Sequence, residues 1–145
     1  FGTAARATIK NLTLDNVKIN NSAKPYTAIS YIGLVVGKVT NNSFVMEDIT
    51  VVNSSIEILH NQGSTISPRN LYVGLLGGSL QGKIANATIK NSSIKVNQNI
   101  LNGLFDNNDG STTGTYVGGA IGMIEMDKGL SISKISISRD SIVTS

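Results

Sequence analysis

The sequence predicts an all-β chain, a right-handed parallel β-solenoid (β-helix) of about three to four turns of 37–48 residues. Three observations lead there. The stretch YIGLVVGKV at Tyr31–Val39 returns as YVGLLGGSL at Tyr72–Leu80 and as YVGGAIGMI at Tyr116–Ile124. A second pattern, rich in isoleucine, occurs four times with its apolar residues at constant steps. The composition fits both: 145 residues with 15 Gly, 40% hydrophobic and only 5% aromatic, a mixture suited to short strands and tight turns rather than to helices packed on large side chains.

The isoleucine-rich copies are ATIKNLTLDNVKI, FVMEDITVVNSSIEI, KIANATIKNSSIKV and SISKISISRDSIV. Their apolar residues are Ile9, Leu12, Leu14 and Ile19; Met46, Ile49, Val51 and Ile56; Ile84, Ala87, Ile89 and Ile94; and Ile132, Ile135, Ile137 and Ile142. The steps are 3, 2 and 5 in every copy. A step of two keeps side chains on one face of a strand, whereas steps of three and five break the alternation and call for a corner. Asn11, Asp48 and Asn86, then Asn16, Asn53 and Asn91, stand at those corners, and these residue types tolerate turn geometry. No stripe of helical period persists, and β-branched residues dominate.

Each unit pairs one glycine-rich with one isoleucine-rich segment, and neither buries its apolar side alone. Leu12, Ile49, Ala87 and Ile135 lie 37, 38 and 48 residues apart. Coiling the units so that equivalent strands stack in parallel, ~4.8 Å apart, joins the apolar sides into one core. Residues 1–145 then form a single repeat domain with units of roughly 1–30, 31–71, 72–115 and 116–145. Tyr31, Tyr72 and Tyr116 form one column, Gly33, Gly74 and Gly118 a second, and Gly37, Gly78 and Gly122 a third. Glycine at these places allows either positive φ or close approach to the opposite wall. Leu14, Val51, Ile89 and Ile137 are expected as one buried column, and Ile19, Ile56, Ile94 and Ile142 as another. Phe1 and Gly2 align with Val36 and Gly37. Neither end carries a recognisable cap, so the domain is expected to be open-ended: an excerpt of a longer solenoid, or a subunit that stacks end to end.

The residues YVGLLGGSLQGKIANATIKNSSIKV resemble the GLUG-motif repeat, a Gly-Leu/Val-x-Gly segment followed by an Asn-x-Thr-Ile-x-Asn strand. The resemblance spans nearly the whole chain in three and a fraction units. It implies extracellular bacterial proteins, such as large adhesins and the non-catalytic regions of IgA-cleaving metalloproteases. YIGLVVGKV lacks the common Gly-Gly pair, and the connection from Asn97 to Thr115 is long for the family.

The remaining chemistry is sparse. A net charge of +3 is scattered, with no aromatic platform for nucleic acid among the basic residues. No apolar run approaches the ~20 residues of a membrane span, and the first residues show no signal-peptide pattern, so any export signal is expected either to have been removed or to lie outside these residues. The chain has 0 Cys, which excludes disulfides and thiol chemistry. His60 is the single histidine; it is expected in a loop, with no partners for a triad or zinc site. Parallel β-helices can carry polysaccharide-cleaving acids, but Glu47–Asp48 reads otherwise: Glu47 stacks on Lys10, Asp48 falls between Asn11 and Asn86, and Glu57 stacks on Lys95. DNNDG at Asp106–Gly110 resembles a calcium loop, yet EF-hand spacing puts Phe105 at the first ligand position. No catalytic, cofactor-binding or metal-binding residue is therefore assigned, and no cofactor is expected. Asn11, Asn20, Asn41, Asn53, Asn86 and Asn91 are Asn-x-Ser/Thr sequons, read in preference as hydrogen-bonded ladders. The tyrosine column is either a sugar-stacking platform or a structural stack.

The function expected is that of a non-enzymatic extracellular stalk or adhesive scaffold of a cell-surface protein. A self-assembling fibre subunit is the alternative, and a polysaccharide-active enzyme a third reading. Partners are expected at the solenoid ends, through flanking repeats or self-association, and at loops 20–30, 59–71 and 97–115, where host or surface glycans and proteins would bind.

Overall fold

The computed structural model describes residues 1–21, 29–60, 70–98, 115–124, 130–138 and 142–144. Four walls arise from the repeat. In chain order the first turn contributes β1 (Thr3–Ala4), β2 (Thr8–Asp15) and β3 (Lys18–Asn21). The second contributes β4 (Ser30–Ile32), β5 (Val36–Val39), β6 (Val45–Val52) and β7 (Ser55–His60). The third repeats this as β8 (Leu71–Gly74), β9 (Gly77–Leu80), β10 (Gly82–Lys90) and β11 (Ser93–Gln98), and the fourth as β12 (Thr115–Gly118), β13 (Ile121–Ile124), β14 (Leu130–Ile137) and β15 (Ile142–Thr144). Equivalent strands stack into sheets ordered β1-β5-β9-β13, β2-β6-β10-β14, β3-β7-β11-β15 and β4-β8-β12. Every pairing is parallel. The fold is a parallel β-solenoid of about three to four turns.

The step pattern is explained by backbone geometry. Asn11, Asp48 and Asn86 have φ of 54°, 56° and 53°, and Asn16, Asn53 and Asn91 have 55°, 52° and 45°. All six predicted corners thus sit in the left-handed region, where Asn and Asp are favoured because their short polar side chains bond locally. One left-handed residue lets the strand turn while Leu12 and Leu14, or Ala87 and Ile89, still face inward. The fourth turn puts Lys134 there, at φ 52°, a residue type that the left-handed region penalises. We expect Lys134→Asn to stabilise the chain by about 0.5–1 kcal/mol, read as a shift of the urea midpoint at constant slope. An unchanged midpoint would mean that this corner relaxes in solution.

Among the described residues, the buried apolar side chains all fall between Val35 and Val96. Phe44, Met46, Ile49, Val51, Ile84, Ala87, Ile89 and Ile94 are each 0% exposed, because each has a turn above and below it. Leu14 and Ile19 are only partly buried, and Ile137 is 49% exposed. The column Leu14–Val51–Ile89–Ile137 exists in register, but its outer members are not buried as expected, since they lack one neighbour.

The column ending in Ile142 also differs. Ile94 pairs with Val143, and Ile142 pairs with Ser93. Ile137 and Ile142 are five residues apart, whereas Ile89 and Ser93 are four apart, so the last corner holds one extra residue and the identical step count misassigns the partner. The Ser138 hydroxyl, buried at that corner, has no hydrogen-bond partner among the described residues.

The glycine columns are explained by proximity, not by φ. Among the described glycines, positive φ occurs at Gly82 (94°), outside both columns. A Cβ on Gly74 would lie 2.5 Å from Gly77 O and 2.6 Å from Ala120 O. One on Gly78 would lie 2.5 Å from Ile32 N and 2.8 Å from Tyr72 O. The β4-β8-β12 and β1-β5-β9-β13 sheets therefore meet backbone against backbone, and the Tyr-x-Gly-x-x-x-Gly spacing is what allows it.

Candidate functional site: axial side-chain ladders

The parallel, in-register walls place like side chains one rung apart, so the outer surface is organised as ladders running along the axis. Tyr31, Tyr72 and Tyr116 are level in β4, β8 and β12. Their rings stack with centroids 5.2 and 4.8 Å apart and interplanar angles of 11°. Face-to-face stacking along the axis occupies the ring faces that a sugar would use. Lys38 closes the Tyr31 end: its ammonium lies 4.5 Å from the ring centroid and donates to the Tyr31 hydroxyl at 3.3 Å, a cation–π contact. At the other end Tyr116 is 42% exposed. Between them, burial raises the Tyr72 phenol above its ordinary range, against a hydrogen bond from Asn70 Nδ2–H at 3.3 Å. Lys38 and Asn70 were not evident in the sequence, because their repeat equivalents are not lysine and asparagine: Ser79 stands level with Lys38.

The corner asparagines form a second ladder system. Asn86 Nδ2–H donates to Asp48 Oδ1 at 3.0 Å, and Asn91 Nδ2–H to Asn53 Oδ1 at 3.4 Å. Asn53 Nδ2–H donates to Asp15 Oδ1 at 3.0 Å. The nitrogens that a glycan would occupy at Asn53, Asn86 and Asn91 are thus already engaged. Beneath this ladder the buried Ser54 and Ser92 bridge the corners. Ser54 Oγ accepts from Val17 N–H at 3.1 Å and donates to Val52 O at 2.8 Å. Ser92 Oγ accepts from Ser54 N–H at 3.1 Å and donates to Lys90 O at 2.8 Å. The hydroxyls carry the hydrogen-bond ladder across the point where the strands break. Buried Gln81, missed because it is polar, does similar work: its Nε2–H donates to Val39 O at 3.0 Å.

The carboxylates form ion pairs between turns. Lys10 Nζ is 2.8 Å from Glu47 Oε2, and Lys95 Nζ is 3.4 Å from Glu57 Oε1, as the register predicts. The hydrogen bond and charge of Lys10 hold the Glu47 carboxyl below its ordinary range, and Glu47 in turn raises Lys10. The lowered carboxyl makes the pair's contribution complete above the unfolded-state carboxylate pKa and lost as pH falls through the lower folded value. The raised lysine makes it complete below the unfolded lysine pKa and lost as pH rises through the higher folded value. We expect Lys10→Gln to return the Glu47 titration, followed by carboxyl NMR, upward toward the ordinary range. The accompanying loss of stability should be small, screened by salt and absent in acid. A Glu47 titration unmoved by the substitution would disprove the coupling.

His60 is the last residue of β7, level with Gln98, and not in a loop as expected. Strand pairing persists through Asn21, His60 and Gln98, because the inward alternation continues over Ile58 and Val96 before it ends. The expected loops 20–30, 59–71 and 97–115 therefore begin later, and their central parts, with Asp106–Gly110, lie outside the described residues. Among the described residues no cluster of three or more His, Asp or Glu could hold a metal, and no helix is long and apolar enough to cross a membrane. Comparison with protein-family models, curated proteins and solved structures finds no match.

Proposed function

We propose that this chain is a structural segment of an extracellular protein, a non-enzymatic β-solenoid serving as a stalk or adhesive scaffold of a cell surface, in keeping with the GLUG-like repeat. One observation carries this reading: the outward polar side chains are used to join turn to turn. Tyrosine stacks on tyrosine, asparagine bonds to aspartate or asparagine, and lysine pairs with glutamate across successive rungs. Such a surface stiffens a rod along its axis rather than converging groups on a reacting atom. Strands β7 and β11 end level with one another, with β3 ending two residues short of them, and β4, β8 and β12 start level. The segments joining them leave and re-enter the coil at one edge, where adhesive contacts to glycans or proteins would be displayed. Protease shaving of intact source cells tests the location: peptides of this chain should be released without lysis. Release only after lysis would overturn it.

A further inference from the structure

One-electron oxidation has few places to go in this chain. The sequence holds 0 Cys, 0 Trp and 4 Tyr, so the phenols are the side chains that most easily yield a single electron. Three of the 4 tyrosines, Tyr31, Tyr72 and Tyr116, stand in one column. Tyr26 lies outside the described residues.

Tyr72 and Tyr116 leave level positions of the parallel strands β8 and β12, so their rings run in the same direction. Ring centroids 4.8 Å apart at an interplanar angle of 11° set the ortho carbons of one phenol against the matching edge of the other. The hydroxyls are neighbours too: burial raises the Tyr72 phenol most, and the Tyr116 phenol raises it further. Two phenoxyl radicals formed at these positions need not diffuse to meet, because the wall already holds them together.

Tyr31 is set apart from this pair. Its ring lies 5.2 Å from that of Tyr72, and the Lys38 ammonium sits 4.5 Å from its centroid and donates to its hydroxyl. A fixed positive charge over a ring opposes the loss of an electron from it.

We infer that Tyr72 and Tyr116 form an oxidative coupling site, at which hydrogen peroxide activated by a haem peroxidase joins the third and fourth turns through a dityrosine bond. Each phenol gives one electron to the peroxidase and one proton to water. The two phenoxyls then form a single bond between ortho carbons, and the hydrogen on each of those carbons moves through solvent to the oxygen of its own ring. Two tyrosines and one peroxide thus give one dityrosine and two waters. The bond ties residues 44 apart in sequence and restrains the unfolded chain as a disulfide would. It does not rest on the scaffold reading, since it is decided by the chemistry of two side chains and not by surface location.

Peroxide and a haem peroxidase, added to the 145-residue chain at high dilution, test it. Tryptic digestion should yield Asn70–Lys83 joined to Val96–Lys128, at their summed mass less two hydrogens, from chains that remain monomeric on a denaturing gel. The linked chain should melt several degrees above the parent. Tyr72→Phe keeps a ring in the stack, so it should retain the parental circular dichroism while lowering the intramolecular product about tenfold or more. Tyr116→Phe should abolish the joined peptide, and Tyr31→Phe should leave its yield unchanged. Lys38→Gln, which removes the cation from Tyr31, should raise the share of Tyr31–Tyr72 product. A wild type that gives no joined peptide, a product found only between separate chains, an undiminished intramolecular product in Tyr72→Phe, or a linked chain that melts no higher than the parent would each overturn the proposal.

Discussion

Ile89→Asp should abolish the folded domain. Ile89 is 0% exposed, held in register between Val51 and Ile137, with no basic residue at those inward positions. An unpaired carboxylate there loses the apolar contact and either stays ionised in a dry core or is forced neutral. The cost of leaving a buried charge uncompensated is about 3–5 kcal/mol, a large share of the 5–15 kcal/mol that typically separates folded from unfolded domains. The expected readout is loss of a cooperative melting transition. Ile137→Asp makes the same change one rung away in the same column, at a site already 49% exposed, and should melt within a few degrees of the parent. Equal behaviour of the two variants would disprove the burial gradient.

Gly74→Val should be nearly as damaging for a different reason. The added Cβ would lie 2.5 Å from Gly77 O and 2.6 Å from both Ala120 O and Gly122 N. All three obstacles are backbone atoms of neighbouring segments, so no rotamer change relieves them, and the two sheets must separate. The expected cost is several times the ~1 kcal/mol of an ordinary glycine preference. Gly2→Val, with nothing within 4 Å of its Cβ, is the internal control and should be close to neutral in stability. If denaturant midpoints place both variants together, the close approach of the sheets is not the reason for the glycines.

The register was legible because identical residue types recur at the corners. Asn11, Asp48 and Asn86 advertise a left-handed backbone on their own, and the steps of 3 and 2 follow from it. Lys134 occupies the same corner without any such signal; it can be located through its neighbours Ile132 and Ile135 alone. The Ile142 column differs because Ile142 and Val143 are both apolar, and hydrophobicity cannot count an extra residue in the corner between Ile137 and Ile142. The glycine columns were visible as columns, but composition does not distinguish a glycine needed for φ from one needed for space. The exposure of Ile137 was hidden for a simpler reason: a repeat pattern carries no information on which copy lacks a neighbour. At the surface, the Lys10–Glu47 pair followed from register, whereas Lys38 over Tyr31 depends on a contact between two walls, and the buried Gln81 lies just past the end of β9, where the strand alternation gives no signal.

The offset between stacked positions also governs how the coil can form. Leu12 meets Ile49, and Ile49 meets Ala87, across 37 and 38 intervening steps of chain, so no first contact between turns is local. Closing the first such loop precedes any cooperative gain, and chains dominated by non-local pairing fold in milliseconds to seconds. Lengthening the loop costs little more: the 48-residue step from Ala87 to Ile135 adds roughly 0.2 kcal/mol over a 38-residue step on the logarithmic scale of closure entropy. The coil is therefore slow to nucleate yet tolerant of long excursions between rungs. Once β6 and β10 have paired, each further turn adds to a finished template, and assembly proceeds outward like a growing crystal face.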